Sequence, residues 1–214
     1  MPLLAQGHEK STLAIITIFP VILFYGLAYP LLLTLIPLIL LIFIGHLYFY
    51  RDPDRKVETD PQLVISPADG KIFEIDELKG IIRIRMSLLD VHVNRAPVSG
   101  NIEGIKKQKG KHWPFFSFLY RGTIENARQT IHINNPNGDF LVVQIVGIFA
   151  RRCTSYVTIG DEIKQGERLG MLHYGSEVDI HYPPEQFEIL VKKNMKTIAG
   201  KTPLAKLRVN ITYC

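Results

Sequence analysis

Ile159-Gly160-Asp161-Glu162-Ile163-Lys164-Gln165-Gly166-Glu167-Arg168-Leu169-Gly170, running on into Met171-Leu172-His173-Tyr174-Gly175-Ser176-Glu177-Val178-Asp179, decides the fold class of this chain. Glycine beside Asp, Gln or Ser marks turns. Between the turns apolar and polar residues alternate, the period of a half-buried strand. Working outward, Val64–Ser66, Lys71–Ile75, Ile81–Met86, Val91–Asn94, Asn101–Ile105, Thr130–Ile133, Phe140–Phe149, Tyr156–Ile159 and Glu188–Val191 read as strands. Gly70, Gly80, Gly100, Gly138, Gly160, Gly166 and Gly170 punctuate them. Short helices fit only at Ser87–Asp90 or around Glu125. Residues 51–214 therefore form one mainly β domain, and its last stretch is the least legible part.

The pattern repeats internally. Pro67-Ala68-Asp69-Gly70-Lys71-Ile72-Phe73-Glu74-Ile75 matches Pro97-Val98-Ser99-Gly100-Asn101-Ile102-Glu103-Gly104-Ile105 in the places of its Pro, Gly and apolar residues. The opening stretch is a third element of the same kind. Such patterns resemble the flattened β-barrel hammerheads of lipoyl and biotinyl carriers.

Residues 1–50 have another character. Between Lys10 and Arg51 there is no Lys, Arg, Asp or Glu. Two apolar segments, about 12–29 and 31–50, are divided at Pro30, and each approaches the roughly 20 residues of a bilayer crossing. The expectation is an N-terminal hydrophobic helical hairpin serving as a membrane anchor. The stretch is too long for a signal peptide. Lys10, Arg51, Arg55 and Lys56 flank it, which places both ends, and the β domain, on the cytoplasmic side of the cell membrane. Tyr48 and Tyr50 would stand at headgroup level. The net charge of +5 fits an anionic lipid surface better than nucleic acid, for which no motif is present. Cys153 and Cys214 match no metal-ligand spacing and make no disulfide framework.

Three places carry residues suited to chemistry. Gly175 leaves the carbonyl before Ser176 sterically open and tolerates unusual backbone angles; alone, Gly-Ser is a turn. Asp69, in Ser66-Pro67-Ala68-Asp69-Gly70, reads by itself as an Asp-Gly turn residue. A serine hydroxyl needs a base, and that base an orienting partner. His92 lies in Asp90-Val91-His92-Val93-Asn94-Arg95-Ala96-Pro97, where alternation puts Asp90, His92 and Asn94 on one strand face. It is either a proton-transfer group or a hydrogen-bonded structural one. Lys106 to Arg121 mixes lysines with aromatics, as buried core or as an interfacial loop. Arg151-Arg152 would suit either phosphate binding or an exposed strand end.

Taken together, these three motifs resemble the short-form phosphatidylserine decarboxylase proenzymes, from about Arg51 to about Pro183. The resemblance implies self-cleavage between Gly175 and Ser176 into fragments 1–175 and 176–214, which remain associated. It further implies conversion of Ser176 into a covalent pyruvoyl cofactor. That ketone would form a Schiff base with the amine of a serine phospholipid and accept electrons as carbon dioxide leaves. Asp69 falls on the processing acid of the family and His92 on the first of two histidines found in longer relatives. Arg95 occupies the second position, so the base for self-cleavage is open. The product would be phosphatidylethanolamine; archaetidylserine is the alternative substrate. A reading from another class is a membrane-tethered β-barrel module without activity. The resemblance implies no metal and no pyridoxal phosphate, and is compatible with a homo-oligomer.

Overall fold

The computed structural model describes residues 9–28, 35–111, 125–147, 153–173 and 176–208. The chain divides into two compact units, Met1–Pro53 and Asp54–Cys214. The first is a pair of helices, α1 (Glu9–Ala28) and α2 (Leu35–Phe49), tied by a contact of 3.1 Å between Thr12 Oγ1 and His46 Nε2. Both helices turn apolar side chains outward, Phe24 and Leu41 among them. Pro20 sits inside α1. Among the described residues no helix is long and apolar enough to cross a membrane. The two apolar segments expected over 12–29 and 31–50 are represented by these two helices, with residues 29–34 outside the described ones.

The second unit is mainly β. Its strands are β1 (Leu63–Ile65), β2 (Gly70–Asp76), β3 (Ile81–Arg85), β4 (Val93–Arg95), β5 (Gly100–Gln108), β6 (Arg128–Asn135) and β7 (Gly138–Val146), then β8 (Cys153–Ser155), β9 (Glu162–Ile163), β10 (Arg168–Leu172), β11 (Ser176–His181), β12 (Phe187–Ile189), β13 (Lys196–Thr197) and β14 (Pro203–Leu207). Eight of them form one curled, half-barrel sheet in the order β13-β2-β3-β11-β7-β6-β5-β9. The other six make two three-stranded sheets, β1-β14-β12 and β4-β10-β8. The flattened, barrel-like architecture expected from the turn pattern is the one found.

These orders hide a duplication. Strands β1, β2, β3, β11, β12, β13 and β14 form one copy of a motif, and β4 to β10 form a second copy inserted between β3 and β11. Each three-stranded sheet has the same register: Leu63 faces Lys206 and Ile65 faces Pro203, as Val93 faces Met171 and Arg95 faces Arg168. A bulge interrupts β2 between Ile72 and Glu74, and β5 between Ile102 and Gly104, at matching places. Where the first copy has Asn194 at φ 74, the second has Gly160 at φ 94, and both N–H groups donate to the bulge residues' carbonyls, Ile72 and Ile102. Asn is one of the few side chains that tolerates this left-handed backbone. The copies clasp each other reciprocally: Ile65 N–H donates to Pro97 O at 3.0 Å and Arg95 N–H to Pro67 O at 2.9 Å. The match between residues 67–75 and 97–105 was the visible trace of this symmetry.

The core lies on the inner face of the large sheet, where Ile72, Ile84, Val178, Val142 and Ile131 are fully buried. Two expectations are corrected. Tyr156–Ile159 is not a strand; Asp161 accepts the Thr158 N–H and hydroxyl at 2.7 and 2.9 Å and bends the chain there, so pairing occurs earlier, in β8. Ser87–Asp90 is a turn, closed by Ser87 N–H on Asp90 Oδ2 at 2.7 Å, and not a helix. The segment 112–124 and the pair Arg151-Arg152 lie outside the described residues, while Glu125 borders them.

Candidate active site

Because the second copy is inserted into the first, the chain crosses between them twice. It leaves through residues 86–92, after β3, and returns through residues 173–175, between β10 and β11. The two crossings are neighbours. Leu172 N–H donates to His92 O at 3.1 Å, and Glu177 at the start of β11 faces Arg85 at the end of β3. Ser176 is the first residue of β11, just after the return, opposite Val146 on β7. Gly175 lies outside the described residues.

His92, at the end of the outward crossing, is fully buried. Its Nδ1 is 2.9 Å from the Asp90 carbonyl oxygen. A carbonyl only accepts, so this contact puts a proton on Nδ1 and makes Nε2 the acceptor nitrogen of the neutral ring. His173, on the return crossing, is also buried, with Nε2 3.1 Å from Thr154 Oγ1 on β8. Sequence reasoning did not single His173 out. The only signal was a titratable ring three positions before the serine.

Beside these crossings a chain of buried amides enters the core. Gln129 donates to Gln144 at 2.8 Å, and Gln144 donates to Asn94 at 2.7 Å. Gln144 faces Val178 on β11, two positions into the strand from the Val146–Ser176 pair. Hydrogen-bonded amides in an apolar core specify a single arrangement, since any displacement strands a donor or acceptor.

On the other face, acidic residues of β11 meet arginines of β3. Glu177, fully buried, lies 3.7 Å from Arg85, whose guanidinium stacks on Phe73. Asp179 lies 3.4 Å from Arg83, which also pairs with Glu74 at 2.8 Å. Burial pushes the Asp179 carboxyl up to about 6, against the opposing pull of Arg83.

Asp69 stands at the same end of the large sheet, just ahead of β2. Both of its oxygens are engaged: Arg55 donates to them at 2.6 and 2.7 Å, and Ala199 N–H donates to Oδ1 at 2.7 Å. Arg55 also donates to the Ala199 carbonyl at 2.6 Å. Arg55, counted among the cations flanking the apolar hairpin, is in fact a buried clamp with a side chain 7% exposed. The next residue, Gly70, has φ +153, and a Cβ there would stand 2.4 Å from Arg85 O, so glycine lets β2 approach β3 at this end. Arg95 is buried and donates to Gly166 O at 2.9 Å. A guanidinium has no accepting nitrogen and cannot serve as a base. Burial pushes the Cys153 thiol up to about 12, which keeps it protonated and unreactive.

The family model for phosphatidylserine decarboxylase matches residues 43–205. A putative archaetidylserine decarboxylase proenzyme of Methanosarcina mazei is 44% identical over 160 residues, covering 75% of this chain and 74% of the relative. A phosphatidylserine decarboxylase proenzyme of Carboxydothermus hydrogenoformans is 39% identical, covering 80% and 84%. One of Pelagibacter ubique is 37% identical over 94% of this chain and 95% of its own. These likenesses make the chain a decarboxylase of a kind made as a proenzyme. The chain belongs to the phosphatidylserine decarboxylase family.

Proposed function

We propose that this protein decarboxylates a serine phospholipid, phosphatidylserine in the first instance, after cutting itself between Gly175 and Ser176 and converting Ser176 into a pyruvoyl group. The observation that carries the reading is that Ser176 begins β11 four residues after Leu172, whose N–H donates to the carbonyl of the buried His92. A break there parts the connection between two copies of a motif and leaves both copies whole. Fragment 176–214 would then hold β11 to β14. It stays associated because β11 is hydrogen-bonded between β3 and β7, and β14 pairs with β1.

The pyruvoyl ketone supplies an electron sink for the departing carbon dioxide. The chain's own residues do the rest. His92, with Nδ1 held by Asp90, presents Nε2 to deliver the proton that replaces the carboxylate. The amide chain from Asn94 to Gln129 and the Arg85–Glu177 pair hold the end of β11 in register. Asp69 acts as a positioning residue through Arg55, fastening the start of β2 to residue 199. The outward-facing apolar side chains of α1 and α2 seat the protein on the cytoplasmic face of the cell membrane, dipping into the bilayer.

Archaetidylserine carries the same serine head group, and the archaeal relatives favour testing it alongside. Detergent-purified full-length protein is assayed for carbon dioxide release from vesicles of either lipid, before and after hydroxylamine. The reading expects release from at least one lipid and its loss after the carbonyl reagent. No release from either lipid, or activity indifferent to hydroxylamine, would refute it.

A further inference from the structure

We propose that the first copy of the motif carries a second ligand site, a cavity lined by Arg208, Lys192, Tyr182, Glu77 and Glu188 that takes a zwitterion pairing a phosphate with an ammonium group. The cavity has a volume of about 350 Å³, and Phe187 and Val191 supply apolar wall. Tyr182 follows directly on β11, about 20 Å along the chain from Ser176, so this cavity is separate from the candidate active site. It goes beyond the decarboxylase chemistry and does not depend on it.

The duplication shows what is unusual here. Leu207 N–H donates to Gln62 O at 2.7 Å as Leu172 N–H donates to His92 O at 3.1 Å, so Arg208 stands where the second copy has His173. β12 pairs with β14 as β8 pairs with β10, which puts Glu188 in the place of Thr154. Val178 faces Ile84 as Phe140 faces Ile133, and four residues further on Tyr182 takes the place of Gln144. In the second copy these polar groups are satisfied within the protein: His173 meets Thr154 at 3.1 Å, and Gln144 donates to Asn94 at 2.7 Å. The corresponding side chains of the first copy make no such bonds. Val64 stands in the place of Asn94. Tyr182 is only 4% exposed, yet its hydroxyl has no hydrogen-bond partner among the described residues. A buried tyrosine hydroxyl ordinarily has one.

The charges around it are open as well. Arg208 Nε donates to Phe187 O at 3.2 Å, which anchors the guanidinium and leaves both Nη groups without a partner among the described residues. Lys192, Glu77 and Glu188 make no ion pair among the described residues. Burial pushes the Tyr182 hydroxyl up to about 12, with Glu77 adding to the rise and Arg208 opposing it, so the hydroxyl keeps its proton and lies within electrostatic reach of both. Two cations and two carboxylates that share a cavity without pairing suit a ligand carrying both signs. Arg208 and Lys192 take the phosphate oxygens, the guanidinium through parallel N–H donors, and Tyr182 donates to the same group. Glu77 and Glu188 take the ammonium. The lining charges cancel, so a neutral zwitterion such as a phosphodiester of ethanolamine fits better than a serine head group, which brings a further carboxylate.

The test is isothermal titration calorimetry on the full-length Ser176→Ala protein in detergent, with glycerophosphoethanolamine, inorganic phosphate and ethanolamine as probes. The expected result is saturable binding of glycerophosphoethanolamine, half-complete at about 1 mM or below and about 10-fold or more tighter than either half alone. Arg208→Gln and Lys192→Gln should each weaken it about 10-fold or more, and Tyr182→Phe about three-fold or more. Because the Tyr182 hydroxyl bonds nothing among the described residues, Tyr182→Phe should keep the parent's melting temperature, and its weaker binding then reads the ligand contact alone. Phosphatidylethanolamine in mixed micelles that displaces the probe makes the ligand a lipid head group, and failure to displace it makes the ligand a soluble ester; both keep the site. No saturation by about 10 mM, phosphate bound as tightly as the zwitterion, or affinity within about two-fold of the parent in both Arg208→Gln and Tyr182→Phe would overturn the proposal. Since Ser176→Ala carries no pyruvoyl group, such a failure leaves the decarboxylase reading untouched.

Discussion

Replacing Arg55 with Met strands the Asp69 carboxylate in a buried site, with the Ala199 N–H as its remaining hydrogen-bond donor among the described residues. The pair is deeply placed, with side chains 7% and 14% exposed, and two of its hydrogen bonds are 2.6 and 2.7 Å long. Removing one member of such a pair costs about 3–5 kcal/mol, because the survivor's charge is left without its counter-charge. In a domain of this size each kcal/mol shifts the melting temperature by roughly 2–4 °C, so a fall of about 10 °C or more is expected. Asp69→Asn should cost less, since Arg55 keeps the Ala199 carbonyl. The double change Arg55→Met with Asp69→Leu should recover much of the loss, as apolar replacement of a whole buried pair often does. Melting is followed by circular dichroism in a Ser176→Ala background, so that cleavage does not confuse the transition. Single losses below about 1 kcal/mol, or a double variant that loses the full sum of both, would refute the clamp.

Other outcomes follow from the same site. The Asp179 carboxyl, raised by burial to about 6, binds its proton more tightly folded than unfolded, so the native state loses stability, by up to about 3 kcal/mol, as pH rises from about 4 to about 6. Asp179→Asn should flatten that slope in denaturant titrations across the window, and an unchanged slope would remove the assignment. Gly70→Ala forces a Cβ against Arg85 O and a strained φ, and should cost roughly 2–4 kcal/mol with loss of self-cleavage; wild-type cleavage would show that this end of the sheet is tolerant. Gln144→Leu orphans the amides of Gln129 and Asn94, a loss of about 2–3 kcal/mol in urea unfolding. A neutral effect would mean that the amide chain does not order the core.

Alternation made β2, β3, β5, β6 and β7 legible, because one face of each meets the core. β11 was harder to read as a strand: Glu177 and Asp179 look like solvent-facing residues, and only the arginines of β3 explain their burial. β8 was misplaced by the local bonds of Thr158 to Asp161, which alternation cannot foresee. β9, β13 and β14 are short and owe their existence to partners far along the chain. The duplication showed in one matched pair of segments, whereas its seven-strand extent is carried by register and bulges with little sequence trace. Ser176, Gly175, His92 and Asp69 were named as candidates through motifs. Arg55 was read as part of a linker, and its meaning depends on Asp69 and Ala199 meeting it in space. His173 belongs to no motif, and its burial shows only in the folded chain.

The most direct test of the central claim is the intact mass of the purified full-length protein and of its Ser176→Ala variant. The account predicts two fragments from the former, residues 1–175 and 176–214, the smaller one carrying a ketone in place of its amino terminus, and one whole chain from the variant. A catalytically active preparation in which residues 1–214 remain a single chain with an intact serine would contradict it.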